Sequence, residues 1–281
     1  MIGQTYLKER LQNLIQERTF PRFSILVGPK GSGKKTLANW IITKIVRQEA
    51  LSYSQVCPDV KIDTIRQIIE NAYKTISTNI YVIPDADEMS NAAKNALLKV
   101  TEEPPNNAYF IMTLEDENNT LETIRSRGTV FHMDRYTPDE ILEYSIPIFG
   151  LEKLDCDTRQ IITDLCETPG DVDILAKMGV HEFNDYVQLV VNNIETVSLA
   201  NAFKISSKIA LKDGDKGYDL NLFWRAFQKI CLEIATTVKE PEIIMKYGTW
   251  SITTAKFARK LRSKGINKQM LFDNWILSFW R

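Results

Sequence analysis

The strongest chemical signal in this sequence is the run Gly28-Pro29-Lys30-Gly31-Ser32-Gly33-Lys34. Glycines at this spacing ahead of a lysine let successive backbone N–H groups curl around phosphate oxygens, and a helix starting at the lysine adds partial positive charge. Lys34 then reaches the terminal phosphates, so the expected cofactor is ATP or ADP. The next position ordinarily carries a Ser or Thr hydroxyl that ligates magnesium. Here it is Lys35, and an ammonium cannot ligate a cation. Thr36 comes one residue late, turned by about 100° round a helix. The expected phosphate-binding set is Gly28, Gly31, Ser32, Gly33, Lys34, Lys35 and Thr36, with degenerate magnesium positions.

A second acidic element belongs with such a loop: a strand ending in carboxylates that hold the metal and position the attacking water. The apolar run Ile80-Tyr81-Val82-Ile83 leads into Pro84-Asp85-Ala86-Asp87. That register puts Pro84 at the magnesium position and Asp85 at the water-activating one, so Asp85 reads as a degenerate catalytic acid. Two metal contacts are missing, and no metal ligand is expected. The alternative is that Asp85 or Asp87 shifts to take the metal.

The elements that must position these residues are legible from periodicity. Leu7, Leu11, Leu14 and Ile15 recur at helical spacing. Phe23 to Val27 is a β-rich run entering the loop, and Thr36 to Val46 reads as the helix leaving it. Thr64 to Ile76 and Ala92 to Val100 read as further helices, and Ile80–Ile83 and Tyr109–Thr113 as further strands. Strands alternating with helices predict a parallel α/β sheet with right-handed crossovers. Beyond residue 136 strand signals vanish, and helical stretches are broken at Pro147, Pro169-Gly170, Gly179, Gly214-Asp215 and Pro241. The softest linker candidate is Lys212 to Gly217. Phe223, Trp224, Phe227, Ile230 and Ile234 form an apolar helical stripe, read as core or subunit interface.

Composition sets the class. With 281 residues, 44% hydrophobic and 25% charged, the chain is long enough for two or three compact units of ordinary globular composition. A formal net charge of -1 supplies no global field toward nucleic acid. Cys57, Cys156, Cys166 and Cys231 are scattered with no Cys-x-x-Cys pair, so zinc is not expected. No apolar run approaches a bilayer-spanning length, and the expected location is the cytoplasm, with no membrane partner. His132 and His181 have no evident triad partners.

Taken together, several motifs are similar to those of the AAA+ clamp-loader subunits, nearest to the delta-prime type of bacterial DNA polymerase III. They are Ile2-Gly3-Gln4, the phosphate loop, Asn95-Ala96-Leu97-Leu98-Lys99 running to Glu102-Glu103-Pro104-Pro105, and Thr123-Ile124-Arg125-Ser126-Arg127-Gly128. Glu167-Thr168-Pro169-Gly170-Asp171-Val172 resembles the end of that family's lid domain. The resemblance implies a RecA-like nucleotide-binding domain over residues 1–135, a small helical lid over 136–183 and an all-α collar over 184–281. It implies that Arg127 is an arginine finger acting in trans on a neighbouring subunit's ATP, the other reading being a simple surface ion pair. Thr113 matches a sensor position for a γ-phosphate, or is a β-branched strand residue and no more. The second sensor arginine is missing, with Asp171, Asp173 and Ile174 near Gly170.

The function implied is a non-hydrolysing stator of a clamp loader. Its partners are motor ATPase and delta-type subunits, a sliding clamp, and primer-template DNA through the assembly. Two other readings stay open: an active motor-type ATPase, and a P-loop kinase or nucleotidase.

Overall fold

A computed structural model describes residues 2–48, 52–74, 76–195, 205, 207–210, 217–261 and 266–279. The linker candidate at 212–216 lies outside them. The chain divides into two compact units, Met1–Glu140 and Ile141–Arg281.

The first unit is built on five parallel strands: β1 (Phe23–Val27), β2 (Ser52–Val56), β3 (Thr78–Ile83), β4 (Ala108–Leu114) and β5 (Thr129–His132), in the order β2-β3-β4-β1-β5. Between them run α1 (Thr5–Gln16), α2 (Lys34–Gln48), α3 (Ile62–Lys74), α4 (Asn91–Glu102) and the single turn α5 (Glu122–Arg125). The predicted α/β parallel sheet is borne out. The three strands read from the sequence are β1, β3 and β4, and all three are interior.

Alternation along these strands explains why they read as unbroken apolar runs. Ile25, Val27, Tyr81 and Ile83 face one core, shared with Ile65 and Ile68 of α3 and Leu97 of α4. Leu26, Ile80 and Val82 face the other, shared with Leu7 and Leu11 of α1 and Leu37 and Ile41 of α2. Helices cover both faces, so all but the first position of β3 and every position of β1 and β4 are buried, and period-two polarity disappears. The two strands not foreseen are the sheet's edges. Only Phe131 is buried in β5, and nothing is fully buried in the polar run Ser52-Tyr53-Ser54-Gln55-Val56 of β2.

The second unit is helical as expected, with α6 (Pro138–Phe149) leading into α7 (Cys156–Leu165), α8 (Pro169–Met178), α9 (Val180–Asn193), α10 (Leu220–Thr237), α11 (Pro241–Leu261) and α12 (Lys268–Leu277). Its only strands among the described residues are the two-residue pieces Ile209–Ala210 and Tyr218–Asp219, paired in parallel. The start of α8 explains the Thr168-Pro169-Gly170-Asp171 motif: Thr168 caps the helix and forms a capping box with Asp171, and proline stands in the first turn, where a missing N–H costs nothing. The stripe on α10 forms the core, with Phe223, Trp224 and Phe227 fully buried against Phe272 and Trp275 of α12.

Candidate functional site

The phosphate loop leaves the carboxyl end of β1, at the edge of a parallel sheet where α/β folds place their ligand sites. Gly31 and Gly33 adopt φ of 81° and 87°, a left-handed backbone that side chains disfavour. Gly28 is required by packing, since a Cβ there would lie 2.7 Å from both Cβ and Cγ of Met133. Lys34, the first residue of α2, is buried and curls back over the loop. Its ammonium donates to the carbonyls of Gly28 at 2.7 Å and Pro29 at 2.9 Å. Burial lowers its pKa below the ordinary 10.5, opposed in part by the charges of Glu115, Asp87 and Asp85. Ser32 Oγ is buried and has no hydrogen-bond partner among the described residues. These features fit a di- or triphosphate: a glycine-lined curve of backbone, a lysine resting on the loop, and a hydroxyl left over.

Residues absent from the sequence-level site brace the loop and the chain beside it. Tyr136 Oη donates to Ser32 O at 2.8 Å. Gln4, buried in a left-handed conformation at φ 58°, pairs twice with the backbone of Asp134, donating to its carbonyl and accepting from its N–H, both at 2.7 Å. The Ile2-Gly3-Gln4 signature is therefore a clip between the N-terminal segment and the exit of β5. Only the signature itself marked Gln4 in advance; nothing in the sequence marked Tyr136 or Asp134.

The metal side of the site is different. Asp85 follows β3 in a left-handed conformation, and its N–H donates to Thr113 Oγ1 at 3.0 Å, so the buried Thr113 on β4 ties the two strand ends together. The Asp85 carboxylate receives the Lys35 ammonium at 2.5 Å. Both side chains are more than half exposed, so the pair adds at most about 1 kcal/mol to stability. Asp87 is already engaged, accepting from the N–H groups of Glu115 at 2.7 Å and Asp116 at 3.3 Å and from Asn119 Nδ2 at 3.0 Å. Thr36 is exposed one position further round α2. This donor set does not fit magnesium: an ammonium occupies the hydroxyl position, a proline replaces one acid, and Asp87 serves the loop after β4.

Arg127 is not part of this cluster. Strand register aligns Ser24 with Thr129 and Val27 with His132. Arg127 lies in the turn that leads into β5, at the end of the sheet opposite to Gly28, which follows β1. The five residues of β1 lie between those two ends, a span of about 16 Å. The Arg127 guanidinium meets Glu102 Oε1 at 2.9 Å and donates to Thr123 O at 2.8 Å. Glu102 ends α4 within the Glu-Glu-Pro-Pro run, so the surface ion pair that was the other reading of Arg127 is present, with Glu102 as its partner. Gly128 is demanded by packing, since a Cβ would come within 2.8 Å of Ile25 and Phe23 side chains.

Comparison with known proteins follows the same lines. The family described as DNA polymerase III, delta subunit, matches residues 52–137. DNA polymerase III subunit gamma of Buchnera aphidicola is 26% identical over 247 residues, 77% of this chain and 68% of that protein. Subunit tau of Bacillus subtilis is 27% identical over 180 residues, 55% of this chain and 32% of that protein. The chain thus spans only about a third of the second relative's length. A RuvB variant from Thermotoga maritima superposes with a TM-score of 0.51 at 19% identity, covering 91% of this chain and 85% of that one, a likeness of fold alone. The matches bear out the resemblance to AAA+ clamp-loader subunits read from the motifs.

Proposed function

Taking that resemblance as the premise, we propose that this chain is a delta-prime-like stator of a clamp loader, which lends Arg127 to ATP held by a neighbouring subunit and does not hydrolyse ATP itself. The observation that carries the reading is the position of Arg127: it sits at the opposite end of the sheet from the chain's own phosphate loop. A finger at the other end of the sheet from its own nucleotide loop is useless in cis. A guanidinium held by Glu102 and Thr123 on an exposed turn is available to a second subunit. In trans it would stabilise charge building on the transferring phosphoryl group, by electrostatics placed in advance of the reaction.

Partners on this reading are motor ATPase subunits, a delta-type subunit, a sliding clamp, and primer-template DNA held by the assembly. Residues 136–183 act as the lid and 184–281 as the collar, and the assembly works in the cytoplasm. Among the described residues no helix is long and apolar enough to cross a membrane. The test is Arg127→Ala in an assembly reconstituted with the motor subunit. Hydrolysis by the assembly should fall on the order of 10³-fold, the factor an arginine finger supplies. ATP turnover by the isolated chain that disappears with Lys34→Ala would establish the motor-type reading in its place.

A further inference from the structure

We propose that Lys35 is a built-in cation, its ammonium taking the seat of the divalent metal, so that this loop binds a di- or triphosphate group without magnesium. The inference concerns the chain's own loop and goes beyond the trans role of Arg127. In a metal-using loop, a cation bridges a strand-end carboxylate and the phosphate oxygens. Here the cation between loop and strand end is Lys35, 2.5 Å from Asp85 Oδ2. An ammonium has three N–H donors. Asp85 takes one, which leaves two for phosphate oxygens.

Three further observations point the same way. Asp87 is committed to the backbone N–H groups of Glu115 and Asp116 and to the Asn119 amide, so it holds the loop after β4. A divalent ion brought to Asp85 would meet the charge of Lys35 at close range, and like charges there repel. The loop itself keeps an unpaired polar group, since Ser32 Oγ is buried without a partner among the described residues.

The experiment is calorimetric titration of the full chain with ADP and, separately, with inorganic pyrophosphate, each in EDTA and in excess magnesium. The affinity of the unmodified chain should agree between the two buffers within about twofold. Lys35→Thr, which restores a hydroxyl at an exposed helix position, should weaken binding in EDTA by about tenfold and recover it when magnesium is added. Its melting temperature, matched to the unmodified chain, shows that the fold is intact. Lys34→Ala should abolish binding in both buffers. Tighter binding of ADP than of pyrophosphate assigns the site to a nucleotide, equal binding assigns it to the phosphates alone, and either upholds the proposal. Magnesium that tightens binding to the unmodified chain by about tenfold overturns it. So does binding that survives Lys34→Ala, or no binding of either probe. The Arg127 reading is scored on a neighbour's hydrolysis, so the two can fail separately.

Discussion

Arg127 and Glu102 meet across 2.9 Å, joining the turn before β5 to the end of α4. The two residues are distant in sequence but belong to the two most specific motifs, Glu102-Glu103-Pro104-Pro105 and Ser126-Arg127-Gly128. The pair gives the first of those motifs a physical task. α4 ends at Glu102 ahead of two prolines that cannot continue a helix, which fixes where the carboxylate stands.

Glu102→Ala should therefore lower hydrolysis by a reconstituted assembly while leaving the stability of this chain nearly unchanged. The pair is partly exposed and adds at most about 1 kcal/mol. Glu102→Gln, which keeps a hydrogen-bond acceptor for the guanidinium, should restore part of the rate. A loss of thermal stability with no change in rate would make the pair merely structural.

Lys34 predicts a pH dependence of definite sign. Its folded pKa lies below 10.5, so between the folded value and 10.5 the unfolded chain binds more protons than the folded one. Stability should rise with pH across that window, as the buried charge is relieved. Polyphosphate affinity should fall over the same window, because the ligand needs the ammonium. Urea unfolding and binding titrations at increasing alkalinity check both, and Lys34→Arg, charged throughout, should remove both trends.

Thiol chemistry should single out Cys156. Burial pushes the thiols of Cys57, Cys166 and Cys231 up to about 12, whereas Cys156 is exposed at the start of α7. The reactive species is the thiolate, so the three buried cysteines should be inert at neutral pH. Native chain treated with a colorimetric disulfide reagent should release one equivalent rapidly, and Cys156→Ser should release none. Denaturation of the unmodified chain should expose the rest.

Two tryptophans in the helical unit should respond differently to the same change. Trp275 Nε1 donates to Thr254 Oγ1 at 2.9 Å, whereas the buried Trp224 Nε1 has no acceptor among the described residues. Trp275→Phe loses packing and a buried hydrogen bond; Trp224→Phe loses packing but also removes an unsatisfied donor. Unfolding in urea should show Trp275→Phe to be the more damaging by about 1 kcal/mol or more.

The interior of the first unit was legible because burial on both faces makes a strand a short apolar run, as in Ile80-Tyr81-Val82-Ile83. The edges were not. β2 is Ser52-Tyr53-Ser54-Gln55-Val56, whose pairing is made by backbone N–H and C=O groups that any sequence carries, and its exposed side chains leave no apolar period. Helix starts were marked by side chains that act locally, such as Thr168 with Asp171. The hold of Tyr136 on Ser32 spans 104 positions and leaves no trace in spacing.

Sequence by itself determined the glycine-rich loop, the lysine that follows it and the α/β order, because each depends on residue type at short range: glycine for backbone curvature, lysine for charge, an apolar run for a buried strand. Tertiary structure alone decided what Lys35 meets. Lys35 and Asp85 lie fifty positions apart, and only the strand order β3-β4-β1 brings their charges to one end of the sheet. The same register carries Arg127 to the other end, because parallel strands put every loop that follows a strand on one side and every turn that precedes one on the opposite side.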